Sequence, residues 1–432
     1  MKRTVNVVTL GCSKNLVDSE VLLNQLERSG FDVVHDSNEN TDIVLINTCG
    51  FIGDAKEESI DTIVNFVQAK EEGMIEKLYV FGCLSARYKE DLIKEVPEVD
   101  QYFGKFDLRQ IVSELKAEYH PEFVYERKIT TPSHYSFLKI SEGCNRTCSF
   151  CAIPMMTGKY QSRSVEDLVM EAKYLAKKGV REILLIAQDL SYYGVDLYKK
   201  SRLADLVEQI SEIDGIEWIR LHYTYPTRFP YDVLPIMREN PKVCKYLDIP
   251  VQHASDGVLK KMRRNITKDE TYELIQKIRK EVPGISLRTT LLVGHPGETE
   301  EDFETLVDFV KEVKFDRLGV FAYSHEEETY AWRHYEDDIP EEVKQERADH
   351  IMEIQQIISS NVMESRVGDQ LKVLIDREEG GVLIGRTEYD SPEVDGEIVV
   401  ENVPENIGVG DFCIVKVVEA EEYDLIGEYY SA

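Results

Sequence analysis

The sequence predicts an α/β chain in three parts. An N-terminal parallel-sheet α/β domain spans residues 1–125, a central partial (β/α) barrel 134–365, and a small antiparallel β-barrel 366–432. Three observations carry this reading. Strand and helix patterns alternate along the first two parts. A polar connector, Glu118–Ser133, separates them. Beyond Val367 the helical period gives way to short strands with turn signals such as Gly380-Gly381.

In the first part, Val5–Leu10, Ile43–Asn47 and Leu78–Gly82 read as strands, and Val17–Ser29 and Glu57–Ala69 as amphipathic helices. Polar Asn6 and Thr9 interrupt the N-terminal apolar run, so it reads as a buried strand and not a leader. In the second part the strand signals are Phe137–Ile140, Ile183–Ala187, Trp218–His222, Tyr246–Ile249, Ser286–Val293 and Arg317–Phe321. Helices such as Val165–Lys177 and Lys268–Lys280 separate them. In such barrels the chemistry sits at the C-terminal strand ends. In the third part the strands are Leu371–Ile375, Val382–Arg386, Gly396–Val400 and Phe412–Val418.

Composition narrows the function. The apolar fraction of 42% and charged fraction of 31% are those of an ordinary globular protein. No apolar run approaches the roughly 18 residues of a membrane span. The net charge of -30 argues against binding dominated by an RNA backbone and suits a basic protein partner. Residues 366–432 hold five basic and seventeen acidic side chains, a net of -12. Eight cysteines are too sparse for a disulfide scaffold, which favours metal ligation in a reducing cytoplasm.

Two cysteine sets carry the chemistry. Cys144, Cys148 and Cys151 have the spacing C-x3-C-x2-C. Three thiolates hold three irons of a 4Fe–4S cube, and the missing fourth ligand leaves one iron open. A three-cysteine zinc site or a redox thiol pair is the alternative. Zinc sites close with a nearby fourth Cys or His, and no His follows Cys151 within ten residues. Cys12, Cys49 and Cys83 each fall just after a predicted parallel strand, where loops open on one sheet edge. Three distant thiols thus converge on a second three-cysteine site.

The run Cys144–Cys151 resembles the signature of radical S-adenosylmethionine (SAM) enzymes. With the converging N-terminal thiols and a TRAM-like terminal barrel, the whole chain resembles the methylthiotransferases. Several runs resemble the branch that modifies a ribosomal protein: Leu10–Glu20, Cys148–Pro154, His222–Pro226, Asp248–Ser255, Gly294–Glu300, Phe321–Thr329 and Gly385–Gly396. One departure is Thr157-Gly158, followed by Lys159, where the family often has Arg-Gly. The resemblance implies conversion of C–H to C–S–CH3 on the β-carbon of an aspartate in the basic small-subunit ribosomal protein S-twelve. It implies two 4Fe–4S clusters, SAM, an external sulfur source and a low-potential electron donor protein. The rival readings are a tRNA adenosine methylthiotransferase, which calls for a basic TRAM surface, and an iron–sulfur electron carrier, which calls for closed four-ligand clusters.

Further residues are candidates for SAM contact. Phe150 suits packing on an adenine or shielding the cluster equally. Gln188 and Asp189 follow the second barrel strand, and a helix cap is the alternative for Asp189. Gln252, Arg288 and Arg163 lie near other strand ends, and Arg288 suits a carboxylate or a salt bridge. His222 and His253 read as core histidines, Cys244 and Cys413 as structural thiols, and Glu326-Glu327-Glu328 as a solvated run at the mouth. The Gly294–Gly297 turn lets the backbone approach a ligand closely, with an ordinary strand-to-helix turn as the alternative. Glu388, Asp390, Glu393 and Asp395 form an acidic turn expected to dock the basic partner.

Overall fold

The computed structural model describes residues 2–105 and 107–430. The first sheet comprises β1 (Thr4–Thr9), β2 (Asp32–His35), β3 (Ile43–Thr48), β4 (Lys77–Gly82) and β5 (Gln101–Tyr102). All pairings are parallel, in the order β2-β1-β3-β4-β5. Alternate residues of β3 serve two cores. Ile43 and Leu45 pack with Leu22, Leu23 and Leu26 of the helix Ser13–Arg28. Val44 and Ile46 pack with Ile63 and Val67 of the helix Gly53–Glu71. Helices on both faces make β3 wholly buried. The sequence reading missed β2 and β5, which are edge strands too short for a period to register.

The second sheet begins with β6 (Tyr135–Lys139). A two-stranded antiparallel ladder, β7 (Ser141–Glu142) and β8 (Gln161–Ser162), brackets the central cysteines. The sheet continues through β9 (Glu182–Ile186), β10 (Trp218–Leu221), β11 (Val243–Asp248), β12 (Ser286–Val293) and β13 (Arg317–Ala322). These six parallel strands pair in sequence order and leave the barrel open. Ile183 and Leu185 face the covering helices, while Leu184 and Ile186 face inward. Leu16 and Val17 of the N-terminal domain pack on that inner face, so one domain plugs the other's open barrel. The connector locks this arrangement. Buried Arg127 pairs with Glu20 of the first domain and Glu171 of the second.

The third part is a closed barrel of β14 (Gln370–Glu379), β15 (Val382–Thr387), β16 (Ile398–Glu401), β17 (Phe412–Ala420) and β18 (Leu425–Tyr429). Its pairings are antiparallel except one, β16 with β18, which is parallel. An odd number of strands around a ring forces at least one parallel neighbour.

This barrel docks at the N-terminal ends of the central strands, away from the cysteines. Trp218, Cys244 and Tyr246 pack against Leu374 and Phe412. Buried Glu182 holds Arg220 at 2.8 Å and Arg386 at 2.8 Å. The acidic turn lies in this interface, which corrects its expected role. Asp390 pairs with Arg317. Asp395 pairs with Arg288 at 2.6 Å and accepts the Tyr246 hydroxyl at 2.7 Å. Glu393 accepts the Tyr135 hydroxyl at 2.9 Å, and Glu388 accepts the Lys245 N–H at 3.1 Å. All four carboxylates meet the chain's own donors; Asp390 is buried, while Glu393 also reaches the surface. A segment's net charge says nothing about which way each carboxylate points, and a buried one must be paired.

Candidate active site: two cysteine triplets at one interface

Cys12 ends the loop after β1, Cys49 follows β3, and Cys83 opens the helix after β4. Each has a neighbouring glycine with no room for a side chain. A Cβ on Gly11 would meet Cys49 Sγ at 2.8 Å. One on Gly50 would meet Leu84 Cα at 2.8 Å, and one on Gly82 would meet Thr48 N at 2.6 Å. Gly11 and Gly82 also have φ of 88° and 101°, where a Cβ is strained. The three loops therefore close on one another. Asn15 pins them: its Nδ2 donates to the carbonyls of Leu10 and Thr48, and its Oδ1 lies 3.7 Å from Cys83 Sγ.

The thiols differ electrostatically. Burial raises Cys49, and raises Cys83 to about 12. Cys12 is shifted down: burial opposes the shift, but Lys14, the Asn15 N–H and Lys105 outweigh it. Cys12 is also the exposed member of the three.

The central loop is held from several sides. Gly143, at φ 79°, would bring a Cβ to 2.3 Å from the Lys159 carbonyl, so only glycine admits the hairpin here. The Ser149 N–H donates to Met262, and its carbonyl accepts from Ala331. Its hydroxyl lies 3.0 Å from His295 Nε2. The Gly294–Gly297 turn thus anchors the cysteine loop. Burial raises Cys144 to about 11 and raises Cys151 further. Arg264 Nη1 stands 3.5 Å from Cys148 Sγ, and the Tyr225 hydroxyl 3.6 Å. Metal loading must displace the thiol protons, and Arg264 supplies compensating positive charge.

The two triplets meet. Cys83 packs with Ala152, Ile153 and Met156, the segment that follows Cys151. Lys105 lies 3.4 Å from Glu142, two residues before Cys144, and also raises no barrier to thiolate at Cys12 and Cys83, whose charge it favours. Lys139 pairs with Asp18 and, at 2.8 Å, with Glu142. A second clamp joins the domains at the far side. Buried Glu326 binds Lys56 and Arg87, each at 2.9 Å, and Arg87 also donates to the Gly50 carbonyl. The expectation that Glu326 is solvated is therefore corrected; its neighbours Glu327 and Glu328 are exposed.

Other expected residues have defined places. Gln188 donates to Glu142 at 2.6 Å and leaves a buried Oε1 without a partner. Asp189 binds Arg146 at 2.7 Å and accepts the Ser191 N–H, so it does cap a short helix. Gln252 has φ 74° and bridges to Leu291 at the barrel mouth. Phe150 packs on Val258, Met262, Leu292 and Tyr323. Arg163 is taken up by Glu171 and the Lys139 carbonyl. Arg288 is corrected as a SAM contact. It lies in register beside Asp248, the last residue of β11, and Asp395 occupies its guanidinium. His253 accepts the Ser255 N–H and faces Glu298, and His222 faces Ser391, as core residues. Cys244 and Cys413 lie in apolar cores. Sequence reasoning missed Arg264, Tyr225, Asn15 and Lys105, for which no local pattern signals a contact that distant segments create.

Among the described residues no three Cys, His, Asp or Glu side chains crowd close enough to share one ion. A cube does not ask for that, because each thiolate binds its own iron. The donor set, all thiols with one cationic neighbour at the central loop, fits such a cube.

Three family profiles match the chain: Uncharacterized protein family UPF0004 over residues 4–104, the Radical SAM superfamily over 138–310 and the TRAM domain over 367–429. The ribosomal protein uS12 methylthiotransferase RimO of Bacteroides fragilis is 57% identical over 428 residues, covering 99% of each chain. The chain belongs to the RimO family of methylthiotransferases. RimO of Porphyromonas gingivalis is 57% identical over 426 residues, covering 98% of each chain. That of Cytophaga hutchinsonii is 55% identical over 428 residues. Among solved structures, the radical SAM methyltransferase TsrM of Kitasatospora setae superposes with a TM-score of 0.57 at 16% identity, covering 88% of this chain and 80% of its own. That likeness concerns the fold alone.

Proposed function

We propose that this RimO-family radical SAM methylthiotransferase replaces a β-carbon hydrogen of an aspartate in ribosomal protein uS12 with a methylthio group, in the cytoplasm. The observation that carries this is the meeting of two three-thiol sets at one interface, at the mouth of an open barrel. An unactivated β-hydrogen is too weakly acidic for a side-chain base, so the reaction needs a radical and a sulfur source. Cys144, Cys148 and Cys151 would hold one 4Fe–4S cluster, and Cys12, Cys49 and Cys83 a second. With SAM bound, the first would supply radical chemistry and the second would hold the sulfur.

The work of the chain itself is positioning. Arg264 and Tyr225 face Cys148 and offset thiolate charge. Gln188, with its free Oε1, and Gln252 stand at the strand ends where SAM would lie. The units 1–125, 134–365 and 366–432 would divide sulfur supply, radical generation and support. A second SAM would donate the methyl group, and a low-potential protein and an external sulfur compound would restore the enzyme. The excess of acidic over basic residues in the terminal barrel favours a protein substrate over tRNA.

The test is mass spectrometry of uS12 after incubation with the reconstituted enzyme, SAM, reductant and sulfide. The methylthio mass should fall on one aspartate. Replacing Cys12, Cys49 and Cys83 by Ala should leave 5′-deoxyadenosine formation but abolish sulfur transfer. Methylthiolation of tRNA adenosine in place of uS12 would overturn the reading.

A further inference from the structure

Among the described residues, the cations around the barrel mouth almost all have an anionic partner. Lys105 has Glu142, Lys139 has Asp18 and Glu142, and Arg146 has Asp189. Arg264 faces Cys148 and the Pro250 carbonyl. Lys14 differs. It follows Cys12 by two residues, is 8% exposed, and has no carboxylate within 4.0 Å and no hydrogen bond to its ammonium. Its ammonium sits 3.8 Å from the centroid of the Tyr223 ring, two residues beyond the end of β10. Its charge favours the anionic forms of Cys12 and Asp248, but neither stands at ion-pair distance, and the aromatic face replaces little of an ammonium's hydration.

The setting is built around it. Tyr223 has φ 63°, a left-handed conformation that a bulky residue rarely adopts. Two bonds impose it: its N–H donates to Asp248 Oδ2 at 3.1 Å, and its carbonyl accepts the Leu190 N–H at 3.0 Å. The result turns the ring toward the N-terminal domain and under Lys14. Asp248, the last residue of β11, leaves its Oδ1 buried and without a partner. Two residues from Cys12 the first domain therefore offers a cation with no carboxylate at ion-pair distance, and the second offers an acceptor without a hydrogen bond, in the field of Arg288 and Lys14. A carboxylate for the cation and an N–H for the acceptor are what an aspartate within a peptide carries.

We propose that Lys14 binds the side-chain carboxylate of the target aspartate, with Tyr223 positioning the ammonium and Asp248 Oδ1 accepting a target N–H. This rests on the uS12 reading above and names how that substrate is chosen. The target β-carbon, one bond from its carboxylate, would then lie between the two thiol sets. A neutral target such as an adenine or an asparagine would leave Lys14 unpaired, so the residue selects for acid side chains.

The experiment compares uS12 carrying the natural aspartate with uS12 carrying Asn at that site. It uses reconstituted wild-type enzyme, Lys14→Met and Lys14→Arg, and measures binding anaerobically together with KM and kcat. The wild type should bind the Asn form about 10–100-fold more weakly, the usual worth of a charge-assisted bond. Lys14→Met should raise KM for the Asp form by a similar factor and bind the two forms about equally. Lys14→Arg should restore part of the discrimination. Should Lys14→Met lose iron, Lys14→Gln takes its place in the same comparison. Unchanged discrimination in a variant that holds its iron would overturn the proposal. So would a change in iron content alone, which would make Lys14 a counter-charge to Cys12. Failure of the wild type to modify uS12 at all would instead overturn the uS12 reading.

Discussion

At the scale of single residues, the cysteine loops depend on neighbours that never touch a metal. His295 is an example. Burial pulls its imidazole down to about 4, so it is neutral at physiological pH and free to bond the Ser149 hydroxyl. The sign of the consequence follows from the depressed value. The unfolded chain binds this proton near 6.5, and the folded chain only near 4. The stability it contributes is fully present above about 6.5 and is lost as pH falls through that window, on the order of 3 kcal/mol. Thermal melts of wild type and His295→Asn between pH 7 and pH 4 should therefore converge on acidification. Parallel curves would mean that His295 does not titrate in this range.

At the scale of elements, the parallel strand is the device that gathers distant thiols. β1, β3 and β4 are neighbours in one sheet, and loops at equivalent ends of parallel neighbours open side by side. The central loop uses a different device, a short ladder, β7 with β8, that pinches the chain on either side of the cysteines. Two independent devices predict two independent clusters. Iron analysis of reconstituted protein should give about eight irons per chain, and either Cys-to-Ala triple variant about four. One cube's worth of iron in the unmutated chain would refute the second cluster.

At the scale of the whole molecule, the N-terminal domain closes an open barrel that its own helices leave incomplete. Leu16 and Val17 fill the inner face, Arg127 ties the connector, and Glu326 clamps the helices that follow Cys49 and Cys83 to the end of β13. Ion pairs between the domains thus hold the two thiol sets in place, and one of their members, Arg87, also bonds the carbonyl of Gly50 beside Cys49. Glu326→Ala would leave Arg87 and Lys56 unpaired and let the first domain shift. Breaking such a buried pair destabilises by about 3–5 kcal/mol. The expected outcome is retained 5′-deoxyadenosine formation with less methylthiolated uS12 per radical formed. An unchanged ratio would remove the clamp from any part in coupling the two sites.

The sequence by itself determined the three-part α/β plan, the six central strands and both cysteine triplets. Those signals are local: a hydrophobic period, a spacing, a cysteine at a strand end. Even the order of the central strands follows, because parallel units laid down in succession pair with their predecessors. Tertiary structure alone decided the rest. Glu388, Asp390, Glu393 and Asp395 looked like a free acidic face, yet they meet Lys245, Arg317, Tyr135 and Arg288, which lie far from them in sequence. Glu326 looked solvated and is a buried clamp. Arg264 carried no motif for its place, which packing sets beside Cys148. A charge is visible in a sequence, but its partner is chosen by packing, and in a buried site the partner decides what the charge does.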